Sequence, residues 1–138
     1  MFSFFKKNKF IFYISNIILI AEYLFPGSFL GCFVLGDCKT QPMIVQEKVQ
    51  IISSLFFSLN HFIAFLFVSL IGFFTYIKSS NLNLIIIYLI FLSLILEFIH
   101  FIIPSRSFEF SDIFGNLIGV ITVLIFNYFF KSYDNYKK

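Results

Sequence analysis

Hydrophobic positions in this chain do not alternate with polar ones. They come in four long, nearly unbroken runs. The first spans Phe10 to about Phe25 and is closed by Pro26-Gly27. The second spans Ile51 to Ile77, the third Leu84 to Ile103 before Pro104, and the fourth Ile113 to Phe130. Runs of about 20 apolar residues suit helices that cross a hydrocarbon core. Strands are excluded, because no run keeps a period of two. A helix also satisfies its own backbone, which lipid cannot do. The pattern therefore predicts an all-α membrane protein: four transmembrane helices in one compact bundle, a single domain over residues 1–138. The second run is long enough to tilt, and the segment MIVQEKVQ from Met43 is expected to begin its helix.

Composition sharpens this. Hydrophobic residues make up 59% of the 138 residues and charged ones only 12%, against roughly half and a quarter in soluble domains. A soluble enzyme domain, a disordered tail and a basic nucleic-acid module are excluded. The net charge of +3 is a topological signal, since the basic residues flank the runs. With the N-terminus inside, the inner segments hold Lys6, Lys7, Lys9, Lys78, Lys131, Lys137 and Lys138. The outer ones hold only Lys39, Lys48 and Arg106. The excess of inner Lys predicts both termini in the cytoplasm. Glu22 interrupts the first run and bulky Phe29 and Leu30 precede Cys32, so an uncleaved first span is expected rather than a signal peptide. The abundant Phe, Ile, Lys and Asn without Trp suit an AT-rich genome and a bacterial inner membrane.

The loop from about Pro26 to Gln50 starts apolar, and that part is expected in the interface or dipping into the membrane. Cys32 and Cys38 both fall there. A small disulfide ring and two packed thiols both fit the spacing.

Ionisable residues within spans cost about 2.5–3.5 kcal/mol at the bilayer centre, so their positions carry information. Glu22, His61, Glu97, His100, Arg106, Asp112 and Asn116 all fall in the outer half of the predicted bundle or just above it. The inner half of the spans holds no ionisable side chain. Glu97 and His100 share one helix face, as do Asp112, Asn116 and Gly119. Gly115 and Gly119 form a small-residue pair that lets a neighbouring helix approach, with Asn116 positioned to bond across the contact. Each residue also has a plainer role. Glu22 is near enough to the surface to be solvated. Glu97 needs a His or Arg partner at its depth. His100 suits an interfacial position, and Asp112 suits a helix N-terminus. Glu97-x-x-His100 has the spacing of four-helix carboxylate metal sites, but a second such motif is missing, so no metal and no cofactor is expected.

The stretch LEFIHFIIPSRSFEFSDIFGNLIG, Leu96 to Gly119, resembles the C-terminal half of the VanZ-like membrane protein family. Glu97, Pro104, Arg106, Asp112, Asn116 and Gly119 match that family's order and approximate spacing. LNHFIAFLFVSLIG, Leu59 to Gly72, resembles its second piece, with His61 at the match. His100 stands where Gln is common, and Phe57-Ser58 replace an Asp-Lys pair. The resemblance implies a multispan bacterial envelope protein linked to the response to glycopeptides such as teicoplanin, without a reaction.

Three functions follow as expectations. The first is binding of a polar or anionic headgroup, from a membrane lipid or a lipid-linked envelope intermediate. Here Arg106 holds the anion, Asp112 and Asn116 orient it, and His61 and Glu97 handle protons beneath. The second is a small intramembrane enzyme on such a headgroup, with His61 or Glu97 as base. The third is a structural subunit with a membrane-protein partner. Nucleic acid is not an expected partner.

Overall fold

The computed structural model describes residues 9–40, 56–104 and 106–136 and is all-helical over them. Five helices follow one another: α1 (Lys9–Leu24), α2 (Phe29–Val34), α3 (Leu59–Tyr76), α4 (Leu82–Ile99) and α5 (Phe110–Tyr136). Three of them are long and apolar enough to cross a membrane: Leu59–Tyr76, Leu82–Ile99 and Phe110–Phe130.

The predicted boundaries need correction in four places. The first run is a helix, but its 16 residues reach only about 24 Å, short of a hydrocarbon core of about 30 Å. The second helix starts at Leu59 after an extended Ser58, not at Ile51; residues 41–55, including the expected early helix from Met43, lie outside the described residues. The third ends at Ile99. Its last apolar residues form turns instead, because Pro104 disfavours helix in what precedes it. The fourth begins at Phe110, three residues early, which brings Asp112 inside its first turn.

Residues are sorted opposite to a soluble protein. Phe67, Leu84, Phe91, Ile102 and Phe110 are exposed, while Ser93, Glu97 and Asn116 are fully buried at 0%. Apolar surface outside and polar groups within is the arrangement lipid imposes. α3 is the central helix: half of it is buried, against a third of α4 and of α5. It packs against α1, α4 and α5. Its seam with α5 is the tightest, and the two glycines are the reason. A Cβ on Gly119 would meet the Leu66 amide and the Phe62 carbonyl at 2.8 Å each, and one on Gly115 would clash with the Ser58 carbonyl. The expected small-residue contact is therefore present, with α3 as the partner.

Between α1 and α3 the chain turns through Gly27, whose φ of 118° only glycine adopts easily. Ser28 then caps α2, its hydroxyl accepting from the Gly31 amide. Cys32 and Cys38 are disulfide-bonded, which decides between the two readings of their spacing. The Ser28 amide donates to the Cys38 carbonyl at 2.8 Å, so the ring lies back over the end of α1. Phe33 and Val34 on α2 are exposed.

Candidate functional site

Consecutive long helices run in opposite directions, so the C-terminal ends of α1 and α4 meet the N-terminal ends of α3 and α5. That places Tyr23, His61, Glu97, His100, Asp112 and Asn116 at one end of the bundle, joined by the 100–109 connection that carries Arg106. The five residues singled out from sequence, His61, Glu97, Arg106, Asp112 and Asn116, do gather there, but each in its own way.

His61 is one turn into α3, where its Nδ1 lies 2.7 Å from Ser58 Oγ and 3.2 Å from Asp112 Oδ1. The side chains of His61 and Asp112 are 11% and 14% exposed. Ser58 and Asp112 thus address the same ring nitrogen. A hydroxyl–imidazole–carboxylate relay needs them on opposite nitrogens, so this trio is not one.

Glu97 sits beneath. Its Oε1 is 3.2 Å from His100 Nδ1 and accepts from the Glu109 amide at 3.1 Å. Oε2 is buried with no hydrogen-bond partner. The partner expected for Glu97 is therefore His100. His100 itself is buried, 3% exposed, not interfacial as expected from its place near the helix end. The α1 terminus covers it: His100 Nε2 lies 3.2 Å from the Tyr23 carbonyl. A carbonyl can only accept, so Nε2 carries the hydrogen. His100 thus links the end of α1 to the Glu97 carboxyl.

Arg106 is not primarily a ligand group. Its Nε donates to the Phe25 carbonyl at 3.1 Å and its Nη2 to the Glu22 carbonyl at 2.8 Å. These are carbonyls at the end of α1, where no helical donor remains, and a cation there also complements the helix dipole. The expected grip on an anion is thereby reduced to the remaining hydrogens of Nη1 and Nη2.

Asn116 also departs from expectation. It does not bond across the glycine seam to α3. Its Oδ1 accepts from the Tyr23 hydroxyl at 2.6 Å, and its Nδ2 donates to the Ser93 carbonyl at 3.4 Å. Asn116 thus ties α5 to α1 and α4, leaving the α3 side to the glycines. Glu22 is partly exposed, as expected, and its Oε1 accepts from the Leu30 amide.

Tyr23 is the residue that sequence reasoning missed. Its ring stacks on His100 at 5.8 Å and meets His61 edge-on at 5.1 Å, so it separates the two histidines. The signal was available: Phe12, Asn16, Leu19 and Tyr23 are the buried face of α1, at helical spacing. Glu109 and Ser58 were missed too, having nothing but a loop position to mark them.

A cavity of about 210 Å³ opens over these groups, lined by Lys39, His61, His100, Arg106, Glu109 and Asp112 among others. A smaller hollow of about 70 Å³ adjoins it beside Glu22, Asn60 and Ala64. The larger one carries both charge signs, with Lys39 and Arg106 against Glu109 and Asp112. Lys39 stands in an exposed turn where its amide donates to Asp37 at 2.9 Å.

Comparison with family models, with curated proteins and with solved structures returns no match.

Proposed function

We propose that this chain is a multi-pass protein of a bacterial cytoplasmic membrane whose polar end faces outward and binds a polar or anionic headgroup. The observation that carries the reading is the open, doubly charged cavity into which His61, Arg106 and Asp112 converge from three separate segments. Residues so costly to bury in an apolar bundle gather around a ligand path more readily than by chance. Lys39 and the free edge of Arg106 would meet a phosphate or carboxylate. Glu109 and Asp112 would meet a hydroxyl or amine on the same headgroup.

In this reading α1 is a fourth, short crossing, with local thinning or snorkelling covering the mismatch. The distribution of Lys then keeps both termini cytoplasmic. The resemblance of the 96–119 stretch to VanZ-like proteins supports a role in the envelope and in the glycopeptide response. A lipid or a lipid-linked envelope intermediate supplies the headgroup.

Native mass spectrometry of the purified chain in detergent tests this, with added phosphatidylglycerol, phosphatidylethanolamine or a polyprenyl diphosphate. Binding of one of them, weakened by Lys39→Gln and by Asp112→Asn in separately folded variants, is the expected result. Equal binding of all three, unchanged by either variant, would overturn the reading and leave a structural subunit. The His61–Asp112 pair facing the cavity favours a second reading, an enzyme acting on the same headgroup. Turnover of the bound lipid, lost in His61→Gln, would establish it.

A further inference from the structure

We propose that the floor of the cavity is a binding site for a first-row divalent cation, with His61, Glu97 and Asp112 as its ligands. One ring nitrogen of His61 and one carboxylate oxygen each from Glu97 and Asp112 lie within 4.8 Å of one another. Three helices supply them, so the grouping is a product of the tertiary fold and not of a local acidic stretch. It differs from the Glu97-x-x-His100 spacing in the sequence, because His100 is turned away toward the α1 carbonyl.

The second observation is the state of Glu97. Its side chain is fully buried, and Oε2 has no partner. Buried carboxylate oxygens without a hydrogen bond are rare and call for a missing ion, proton or water. Oε1 is held by His100 and by the Glu109 amide. That is the arrangement by which outer groups orient a ligating carboxylate while its other oxygen faces the metal. Two carboxylates this close inside an apolar bundle also repel each other. A 2+ ion between them gives a neutral site with a neutral imidazole.

One nitrogen and two oxygens suit zinc or manganese better than calcium, which takes oxygen ligands, or copper(I), which prefers sulfur. Bonds of about 2.0–2.2 Å place tetrahedral ligand atoms about 3.4 Å apart. His61 and Asp112 already stand 3.2 Å apart, so closure falls mainly to the Glu97 carboxylate. Three protein ligands leave a position open toward the cavity, where water or a headgroup oxygen could bind. The ion needs no headgroup, so the site stands or falls separately from the reading above.

The test uses the full chain, purified in lipid-free detergent and stripped with chelator, then titrated calorimetrically with Zn²⁺ and with Mn²⁺. Bound metal is counted by elemental analysis after dialysis. One ion per chain is expected, together with a raised Tm. Glu97→Gln and Asp112→Asn should each weaken it by more than about 100-fold, and His100→Gln, which only orients Glu97, by about 10–100-fold. Lys78→Ala, at the far end of the bundle, should change nothing. Circular dichroism selects the variants that fold, and Asp112→Asn, nearer the cavity than Glu97→Gln, keeps the test open should the latter not fold. Absence of stoichiometric metal in the folded wild-type chain, or an ion retained in a folded Asp112→Asn or Glu97→Gln variant, would overturn the proposal.

Discussion

The two ends of the bundle solve the same problem, burying polar atoms in an apolar body, in opposite ways. At the end opposite the cavity, and through the middle, most polar side chains bond to their own helix. Thr75 Oγ1 donates to the Ile71 carbonyl, Ser93 Oγ to Ile90 and Asn16 Nδ2 to Phe12. Bonds that cross between helices there are those from Tyr88 to Asn16 and between Tyr13 and Tyr76. At the cavity end the bonds reach 77 to 93 residues along the chain, from His100 to Tyr23, from Arg106 to Glu22 and from Tyr23 to Asn116. Own-helix bonds satisfy a group and specify nothing beyond that helix. Long-range bonds fix where one helix sits against another. One end is therefore mainly a packing of apolar faces with tyrosine cross-links, and the other is a defined constellation.

Several substitutions would break or sharpen that contrast. The largest effect is expected where backbone meets backbone. Gly119→Ala places a methyl against the Leu66 amide and Phe62 carbonyl, which cannot step aside, at a cost of about 3 kcal/mol. Gly72→Ala meets instead the edge of the Phe12 ring at 2.8 Å, a side chain able to shift, and should cost about 1 kcal/mol. Unfolding in mixed micelles compares the two, and equal costs would erase the difference between the ends.

Next is Arg106→Gln, which removes the charged donors from the Glu22 and Phe25 carbonyls. About 2 kcal/mol is expected, with faster amide exchange in the last turn of α1 and none in α4. Tyr23→Phe should follow at about 1 kcal/mol, since Asn116 Oδ1 loses its donor in a dry site. Thr75→Val, which forfeits only an own-helix bond, should fall below about 0.5 kcal/mol.

The smallest effect concerns the exposed turn at the cavity rim. The Thr40 hydroxyl, and after it the Lys39 amide, hold the Asp37 carboxyl below its ordinary value of 3.8. A depressed carboxylate contributes above its ordinary value and loses that contribution as acid protonates it. Acidification from neutral to below that value should therefore loosen residues 37–40, seen as a shift in their amide resonances. Helix content should stay constant.

Much of this was legible in the sequence because lipid writes a coarse code. Unbroken apolar runs announced α3, α4 and α5, and Gly115 and Gly119 announced a close contact. The one-sided placement of His61, Glu97, Asp112 and Asn116 announced a polar end, since charge in lipid is too costly to scatter. What was hidden depends on which way a helix is turned. Arg106 reads as an anion binder from its loop position, yet its target is main chain, and every residue offers a carbonyl. Asn116 was assigned to the glycine seam because it neighbours Gly115. It faces about 100° away from that neighbour, toward Tyr23. Glu97 and Asp112 were visible one by one, while their approach to His61 is set by three helix rotations that no spacing along one helix encodes.

The end of α1 supplies the Tyr23 carbonyl to His100, the Tyr23 hydroxyl to Asn116, and the Glu22 and Phe25 carbonyls to Arg106. A chain shortened from its N-terminus past residue 25 would strand an imidazole, an amide oxygen and a guanidinium at one stroke. Such a truncation would not yield a smaller working protein. The helix too short to count among the three crossing-length ones is the keystone, and supplying it as a separate peptide should restore what its removal takes away.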